Sequence, residues 1–290
     1  MKILITGAGG FIGRNLIPKL KGKYDLLCLT RSKHPHLEGI QYFEADLRYL
    51  YTFQERLEGI DVVINLAANL WKENHTMYLD NVVAVKNLIE ACKKKGVKRF
   101  IQLSSNSATE DNITEYGKTK LEADKLVISS GLNYTILKPT MVYGKDGGRG
   151  FTRILDHIKK YPIVPVVGHG KTLMQPVYVE DVVEAIIKVI ENPISIKKSY
   201  NIAGPKAITM NELFDSISKT LGKKKPKLHI PLKVIYFLTN LMHPFNKKKR
   251  MSKEGIKTFY KDANLDIQET INDLKYNPLH LEEGLAKSIK

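Results

Sequence analysis

The sequence contains few of the residues that build disulfide frameworks, metal sites or membrane spans. Its 290 residues include 2 cysteines, Cys28 and Cys92, which lack CxxC spacing and support neither a disulfide framework nor a metal site. His34, His36 and His75 do not have the spacing of zinc ligands, so we expect no metal. No apolar run reaches the ~18 residues of a membrane span, and the first predicted strand begins where a signal peptide would stand. We therefore expect a cytoplasmic protein.

Acidic residues are outnumbered by basic ones. The chain has 46 Lys and Arg against 30 Asp and Glu, a formal net charge of +16. Residues 197–253 hold 14 of the basic residues, with Glu212 and Asp215 as the acids. Such a stretch is either a solvated, lysine-rich surface or a surface for an anionic partner. Because it lacks a recognised nucleic-acid module and a pattern of stacking aromatic residues, we expect no nucleic acid as partner.

One part of this basic region has the pattern of a helix that lies on a membrane surface. A short apolar run within residues 230–250 is followed directly by Lys247, Lys248, Lys249 and Arg250. An interfacial helix beside anionic head groups has this arrangement. A helix packed on the C-terminal lobe, with a solvated basic turn, has it too and is the interpretation that we favour. Peripheral membrane contact is the alternative.

What the sequence does have is a strand, a glycine turn and a helix at its start. Residues 2–6 read as a buried strand, and Gly7, Gly10 and Gly13 follow as the chain enters an amphipathic helix near Phe11. Glycine at these positions lets a pyrophosphate reach backbone N–H groups at the helix N-terminus. A tight turn without a ligand is the plainer alternative. The position of the turn, after a strand and before a helix, favours a dinucleotide site.

Strands and helices alternate along the rest of the first half. The predicted strands are 25–30, 40–45, 61–66, 99–103 and 134–137, and the predicted helices are 51–57, 75–95 and 115–130. Several strands are nearly all apolar, as strands covered on both faces are. The alternation predicts an α/β protein with a doubly wound, Rossmann-type parallel sheet. We predict a dinucleotide-binding core at 1–150 and a mixed region at 151–290, with a small substrate-binding lobe and segments that return to the core.

A tyrosine and a lysine follow the fifth predicted strand. Tyr116 and Lys120 stand one helical turn apart, so that they share a face. A nearby ammonium favours the phenolate and would lower the pKa of the tyrosine, as proton exchange with a hydroxyl or carbonyl requires. Ser105, at the exit of the strand, is placed to hydrogen-bond the same substrate oxygen. We predict Ser105, Tyr116 and Lys120 as the catalytic residues.

With these elements, the chain resembles the short-chain dehydrogenase/reductase superfamily, in its extended and atypical branches of sugar-nucleotide epimerases, dehydratases and reductases. The motifs that carry the resemblance are TGAGGFIG from Thr6, Asp46-Leu47, NLAA from Asn65, Asn81, RFIQLSS from Arg99, YGKTK from Tyr116, LKPTMVYG from Leu137, PVYVEDVVEAI from Pro176 and LKYNPLHLEEGL from Leu274. They cover almost the whole chain.

The resemblance implies a cofactor site as well as a fold. Its residues would be Gly7, Gly10, Phe11, Ile12, Gly13, Asp46, Leu47, Ala67, Ala68, Asn81, Pro139 and Val142. By this similarity Asp46 and Leu47 flank the adenine, Ala67 and Ala68 the ribose region, and Pro139 and Val142 the nicotinamide amide.

The residue after the second predicted strand bears on the choice of cofactor. NAD-specific relatives have a carboxylate there, which bonds the ribose 2′-hydroxyl, whereas this chain has Arg31 and no acid in the turn. A guanidinium fits a 2′-phosphate in bidentate geometry. We predict that Arg31 contacts this phosphate, that NADP(H) is preferred, and that NAD(H) is the alternative.

The resemblance implies hydride transfer at a hydroxyl or keto carbon of a nucleotide sugar or a related small carbonyl substrate. Two departures favour another class of protein. The loop from Ser105 to Tyr116 is shorter than in sugar-nucleotide epimerases, and Gln175 stands where those enzymes commonly have an arginine for the substrate diphosphate. Both features resemble the branch of the accessory NAD(P)H-binding subunit of respiratory complex I. A non-catalytic NADP(H)-binding accessory or regulatory protein is therefore the alternative.

Relatives in this superfamily pair through two helices of each subunit. In this chain Val82, Val85 and Ile89 on one predicted helix, with Leu121 and Leu126 on another, offer apolar surface to a second copy. We predict a homodimer.

Overall fold

A computed structural model describes residues 1–31, 37–70, 74–111, 114–145, 147–231, 233–235 and 261–289. The chain divides into two compact units, each built from three segments. The first unit comprises Met1–Thr140, Val179–Ile202 and Ile267–Asn277, and the second comprises Met141–Tyr178, Ala203–Asp266 and Pro278–Lys290. His34, His36 and most of the segment 230–250, with its basic end, lie outside the described residues.

The regular elements follow one another closely along the chain. The strands are β1 (Lys2–Thr6), β2 (Asp25–Thr30), β3 (Gln41–Glu44), β4 (Val62–Asn65), β5 (Arg99–Leu103), β6 (Tyr134–Pro139), β7 (Val142–Tyr143), β8 (Val164–Val167), β9 (Leu173–Met174), β10 (Val177–Tyr178), β11 (Lys198–Ile202), β12 (Ile208–Thr209) and β13 (Lys227–Ile230). The α-helices are α1 (Phe11–Leu20), α2 (Asn74–Tyr78), α3 (Ala84–Lys94), α4 (Glu115–Ser129), α5 (Arg149–Lys160), α6 (Val179–Ile190), α7 (Met210–Thr220), α8 (Gln268–Leu274) and α9 (Leu281–Ile289).

Seven strands of the first unit form one parallel sheet in the order β11-β6-β5-β4-β1-β2-β3. Because β1 lies between β2 and β4, the chain adds strands outward from it in both directions, with crossovers between parallel neighbours. The predicted doubly wound α/β sheet is confirmed. The carboxyl ends of β1, β4 and β5 meet at one edge, at Thr6, Asn65 and Leu103, and this edge carries the candidate site.

The core of the first unit lies between the sheet and its helices. Ile3, Leu4 and Ile5 of β1 are all fully buried, as expected for a strand that is covered on both faces. On α3, Leu88 and Cys92 stand one turn apart and pack in the core with residues of the sheet. Burial of the apolar stripe of this helix fixes it against the sheet.

The side chains predicted to face a partner helix are used inside the subunit instead. Val82, Val85 and Ile89 are only 3%, 2% and 8% exposed. Leu121 and Leu126 are partly buried, and Leu126 packs against the core. The predicted contact surface is therefore wrong for Val82, Val85 and Ile89, because their stripe is the one that packs within the chain. The homodimer itself stays a prediction.

A buried arginine ties the returning segment of the first unit to the sheet. Arg99, at the start of β5, is 6% exposed. Its guanidinium donates to the carbonyls of Asn133 at 2.9 Å and Val189 at 3.1 Å, and to the hydroxyl oxygens of Ser195 at 2.7 Å and Thr135 at 2.5 Å. Burial lowers the pKa of Arg99 to about 10. The guanidinium therefore joins β5 and β6 to α6 and the segment that follows it.

Two predicted helices differ from the observed elements. The predicted helix 51–57 is a pair of short 3₁₀-helices, Leu50–Thr52 and Gln54–Leu57. The predicted helix 75–95 contains a π-helical segment, Leu79–Val83, between α2 and α3. Such segments shift the helical register by one residue and often lie at functional sites.

The described part of the second unit includes short strand pairs and the helices α5, α7 and α9. β7 pairs with β10 and β8 with β13 in parallel, and β9 pairs with β12 in antiparallel fashion. The buried ring of Tyr143 has its centroid 5.1 Å from that of Phe151 and 5.7 Å from that of Tyr178. Gly284 of α9 lies against the same ring, where a Cβ would overlap the tyrosine hydroxyl group. Among the described residues, no helix has the length and apolarity needed to cross a bilayer.

Candidate active site

The glycine turn after β1 leaves no room for side chains. Gly7 has a φ of +66°, and a Cβ on it would lie 2.7 Å from the backbone nitrogen of Ala67, at the exit of β4. A Cβ on Gly13 would lie 2.5 Å from the carbonyl oxygen of Ala8. The turn therefore needs glycine for its own packing, with or without a ligand.

The same turn fits the pyrophosphate of a dinucleotide. Gly10 caps α1 with its backbone, and the first turn of the helix, which includes the half-buried Phe11 and Ile12, contains no acid. Backbone N–H groups in a first turn lack helical partners, and the helix dipole favours an anion there. A turn made of glycines and the buried Ala8, leading into this helix end, can bring those groups close to a phosphate.

Two arginines lie where β2 and β3 end. Arg31 directly follows β2, and its Nη1 is 3.0 Å from Oδ1 of the buried Asp80. Arg48 binds the Asp46 carboxylate, with Nε 2.9 Å from Oδ2, and lies 3.7 Å from Asp80 Oδ1. The hydrogen bonds from Arg48 hold the pKa of Asp46 below its usual range. Sequence reasoning missed Arg48 and Asp80, although Arg48 is only two positions beyond Asp46.

The π-helical segment holds the loop that leaves β4. Asn81 Oδ1 accepts from the backbone nitrogen of Asn69 at 2.7 Å, and its Nδ2 donates to the Asn69 carbonyl at 2.9 Å and to Thr119 Oγ1 at 3.0 Å. Asp80 accepts from Asn69 Nδ2 at 2.7 Å. Ala67 and Ala68, partly buried, stand in the same loop. Asn81 thus positions the loop with its whole amide group, and Asn69 was missed from the sequence.

Ser105 and Tyr116 come together at the end of β5. Thr114 caps α4 by accepting from the backbone nitrogen of Gly117 at 3.1 Å, which places Tyr116 in the first turn. Ser105 comes two residues after β5, and its side chain interacts with that of Tyr116. Lys120, one turn further along α4, is 1% exposed, and its Nζ donates to the carbonyl of Leu103 at 2.8 Å.

The pKa of Tyr116 is shifted in the direction opposite to the predicted one. Burial raises the pKa to about 12, the interaction with Ser105 lowers it, and the charge of Asp124 raises it further. Burial likewise lowers the pKa of Lys120 to about 8, against the opposing effect of Asp124. The predicted lowering of the tyrosine pKa is therefore wrong for the protein alone, because loss of hydration outweighs the effect of Ser105 and the charge of Asp124 acts in the same direction as burial. Tyr116 is therefore a neutral phenol at neutral pH, which holds the proton that it would donate but is a weaker acid than a free tyrosine.

The remaining predicted residues lie on both units. Leu47 is buried beside Asp46, and Pro139 is buried at the end of β6 in the first unit. Val142 begins β7 in the second unit. Gln175, also in the second unit, donates from Nε2 to the Gly204 carbonyl at 2.8 Å and accepts from the Leu265 nitrogen at 2.7 Å. Its amide therefore joins two of the three segments of that unit.

The described part of the chain offers no metal centre, since no group of three or more His, Cys, Asp or Glu side chains is placed to hold an ion. The second unit contains a cavity of about 210 Å³, and its lining includes Glu212, Asp215 and Glu282 together with Lys206 and His280. Three carboxylates in one lining make this cavity a poor site for a phosphate group.

Comparisons with known proteins agree with this geometry. The sequence profile of the NAD dependent epimerase/dehydratase family matches residues 3–203. N-acetyl-alpha-D-glucosaminyl-diphospho-ditrans,octacis-undecaprenol 4-epimerase of Escherichia coli O157:H7 is 24% identical over 316 residues, which cover 99% of this chain and 94% of the relative. Mitochondrial NADH dehydrogenase (ubiquinone) 1 alpha subcomplex subunit 9 of Mus musculus is 28% identical over 218 residues, covering 69% of this chain and 56% of the relative.

A solved structure shows the same fold over the full chain. MoeE5 in complex with UDP-glucuronic acid and NAD superposes with a TM-score of 0.81 and 25% identity, covering 100% of this chain and 98% of that chain. The predicted family resemblance is confirmed, and so is the Rossmann-type fold. The family profile matches well over half of the length of this chain, so the chain belongs to the NAD dependent epimerase/dehydratase family.

Proposed function

We propose that the protein is an NADP(H)-preferring enzyme that transfers a hydride at a hydroxyl or keto carbon of a nucleotide sugar or a related small carbonyl compound. The observation that carries the proposal is the placement of Ser105 and Tyr116 together at the edge of the sheet where the glycine turn also lies. Ser105, Tyr116 and Lys120 are the proposed catalytic residues. The MoeE5 complex with UDP-glucuronic acid supports a sugar-nucleotide substrate, and the epimerase from Escherichia coli, whose name gives a sugar joined by a diphosphate to undecaprenol, supports a sugar substrate more broadly.

The chain's own residues would hold the dinucleotide at its pyrophosphate and at its adenosine. The glycine turn and the first turn of α1 would bind the pyrophosphate, and the residues after β2 and β3 would bind the adenosine. When bound, the dinucleotide supplies or accepts the hydride. We propose the first unit as the cofactor-binding unit and the second as the substrate lobe.

The site residues would supply the proton chemistry. Tyr116, as a neutral phenol, donates its proton to a carbonyl oxygen of the substrate, and Ser105 donates a hydrogen bond to stabilise the phenolate that remains. In the reverse direction the phenolate accepts a hydroxyl proton. Lys120 places a buried positive charge at the end of β5, which favours the phenolate once it forms.

Two guanidinium groups support the preference for NADP(H). Arg31 and Arg48 both approach Asp80 after their strands end, and the sequence directly after Arg31 contains no acid. A 2′-phosphate carries the charge that such a pair attracts, whereas a bare hydroxyl does not. NAD(H) remains the alternative, since the MoeE5 complex contains NAD.

The test of this function is turnover. Purified protein would be incubated with NADPH and a panel of 4-keto nucleotide sugars, then with UDP-sugars under epimerisation conditions and with simpler carbonyl compounds. Mass spectrometry would identify the nucleotide that co-purifies. Turnover of a sugar nucleotide supports the proposal, and tight NADPH binding without turnover on any of these compounds contradicts it.

The second candidate is a non-catalytic NADP(H)-binding accessory or regulatory protein. Gln175 favours it, because both ends of its amide bind backbone groups of the second unit and present no charge to a substrate diphosphate. The similarity to a subunit of mitochondrial NADH dehydrogenase supports it as well. Retention of Ser105, Tyr116 and Lys120 favours the enzyme, since binding alone does not need a proton donor.

Assembly and location complete the proposal. Tyr78 on α2 and Ile128 on α4 are 42% and 52% exposed, and we propose that they contribute to a homodimer contact. Cys28 and Cys92 are buried free thiols, which fits a cytoplasmic location. Peripheral contact with a membrane depends on the segment 230–250 and is the less favoured proposal. Light scattering at micromolar protein concentration tests the dimer, and a monomeric mass contradicts it.

A further inference from the structure

A carboxylate is buried behind the proposed catalytic residues. Asp124 lies on α4, one turn beyond Lys120 and two turns beyond Tyr116, and is 2% exposed. Its Oδ2 accepts from the hydroxyl of Ser104 at 2.7 Å. Its Oδ1 is buried and has no hydrogen-bond partner. A buried carboxylate with a free oxygen is costly, which indicates that its charge has a use at this position.

The charged and titratable groups that face Asp124 come from its own helix and from β6. Lys120 and Tyr116 face it from α4, and Lys138 of β6 has its Nζ 3.9 Å from Oδ2. β5 contributes the neutral Ser104. Lys138 is the exposed member of this group, with 27% of its side chain accessible. Lys120 is buried one helical turn before Asp124, where the charge of the carboxylate raises the pKa of Lys120, and burial raises the pKa of Asp124 itself.

The ammonium of Lys120 needs such a charge. Nζ donates to the Leu103 carbonyl, a neutral acceptor that orients the ammonium but does not balance its charge. A fully buried ammonium without a counter-ion loses its proton rather than stay charged in the interior. An uncharged amine at this position would no longer favour the phenolate of Tyr116.

We infer that Asp124 is a positioning residue, the buried counter-ion that keeps the Lys120 ammonium charged at the Leu103 carbonyl. It acts through Lys120 and does not touch substrate or cofactor. The inference rests on the proposed function only in giving Lys120 a catalytic role, since the counter-ion itself is a property of the folded chain.

The direct test is the titration of Lys120 in the Asp124→Asn variant. Asparagine keeps an oxygen that accepts from Ser104 and removes the charge. The protein would be labelled with ¹³C-lysine, and the resonance that is lost in Lys120→Met would be assigned to Lys120. An opposite charge within about 4–6 Å moves a pKa by roughly one to three units. We expect the Lys120 midpoint to fall by at least about one pH unit in Asp124→Asn.

Three further variants separate a charge effect from a structural one. Glu122→Gln removes an exposed carboxylate from the same helix and should leave the Lys120 midpoint unchanged. Asp124→Glu keeps a carboxylate at this position, so the Lys120 midpoint should return most of the way to its wild-type value. Lys138→Met removes the competing cation from the surface side, so the Lys120 midpoint should rise. This last variant keeps Asp124 and tests the inference even if Asp124→Asn does not fold.

The pH dependence of turnover gives a second readout. If Lys120 must be charged, activity of Asp124→Asn falls as pH rises through the lowered midpoint, so the optimum moves to lower pH. A purely structural defect would reduce turnover equally across the range. An unchanged Lys120 midpoint in folded Asp124→Asn overturns the inference, whatever the turnover. A shifted midpoint in a protein that turns over no carbonyl overturns the proposed function and leaves the counter-ion in place.

Discussion

The hydroxyl of Tyr116 is the group on which the proposed chemistry depends most. Tyr116→Phe removes the transferable proton and keeps the ring, so turnover should fall by a factor on the order of 10² to 10⁴. Cofactor affinity should change little, because the ring and the helix start stay in place. Steady-state kinetics and cofactor titration measure the two effects. Tyr51 is 77% exposed, so Tyr51→Phe is the matched control and should keep wild-type turnover.

Arg31 is the residue on which the proposed preference for NADP(H) depends. Arg31→Ser removes a charged hydrogen-bond donor from the proposed 2′-phosphate position, and the Kd for NADPH should rise by roughly 10- to 100-fold while that for NADH stays nearly constant. Lys19→Ser removes a partly exposed cation from α1 and should affect neither. Fluorescence titration with both cofactors measures this. Tighter binding of NADH than of NADPH by the wild type contradicts the assignment.

Single residues also show where sequence reasoning ends. Ser105 and Tyr116 were predictable as neighbours, since one follows a strand and the other begins the next helix on the same edge of the sheet. The direction of the Tyr116 pKa was not, because it depends on how much water the folded chain removes from the phenol. The contacts of Asp80 with Arg31 and Arg48 depend on three separate segments, and no spacing along the chain encodes them.

At the scale of elements, the π-helical segment Leu79–Val83 ties a helix to the loop after β4. Asn81→Ala removes three hydrogen bonds of a side chain that is 2% exposed and leaves the backbone groups of Asn69 without their partner. We expect the free energy of unfolding to fall by about 2–4 kcal/mol. Urea denaturation measures it.

The control for this element is Lys86→Ala on α3. Lys86 is exposed, so its replacement should change the free energy of unfolding by about 0.5 kcal/mol or less. Hydrogen exchange should show faster opening of the loop at residues 66–69 in Asn81→Ala and not in Lys86→Ala. Equal stability of the two variants would contradict the structural role of the amide.

Elements were otherwise predictable where hydrophobic periodicity decides them. The strands of the sheet and α1, α3 and α4 bury one face or both, and the sequence shows that pattern. A π-helical segment differs from an α-helix by one residue per turn, which apolar spacing over a few residues does not resolve. The two 3₁₀-helices after β3 are too short for a periodic pattern, so one helix was predicted in their place.

At the scale of the whole molecule, the C-terminal helix is locked into the second unit by a glycine. Gly284→Ala would press a methyl group into the hydroxyl of Tyr143, whose ring is held between Phe151 and Tyr178. Overpacking of a rigid, buried ring costs about 1–3 kcal/mol. Thermal unfolding should show a lower Tm. Glu283→Ala, at the exposed neighbour, should leave the Tm unchanged, and a Gly284→Ala protein as stable as the wild type would contradict this packing.

The sheet of the first unit takes its edge strand from far along the chain. β11 can pair with β6 only after the residues from Met141 to Tyr178 have been synthesised. The guanidinium of Arg99 likewise gains its hydrogen bonds to Val189 and Ser195 only when those later residues are present. During synthesis, β6 is therefore an open edge while an entire intervening segment leaves the ribosome. Open edges recruit other strands. A nascent chain stalled before β11 should thus be the form of this protein most prone to aggregate and most dependent on chaperones.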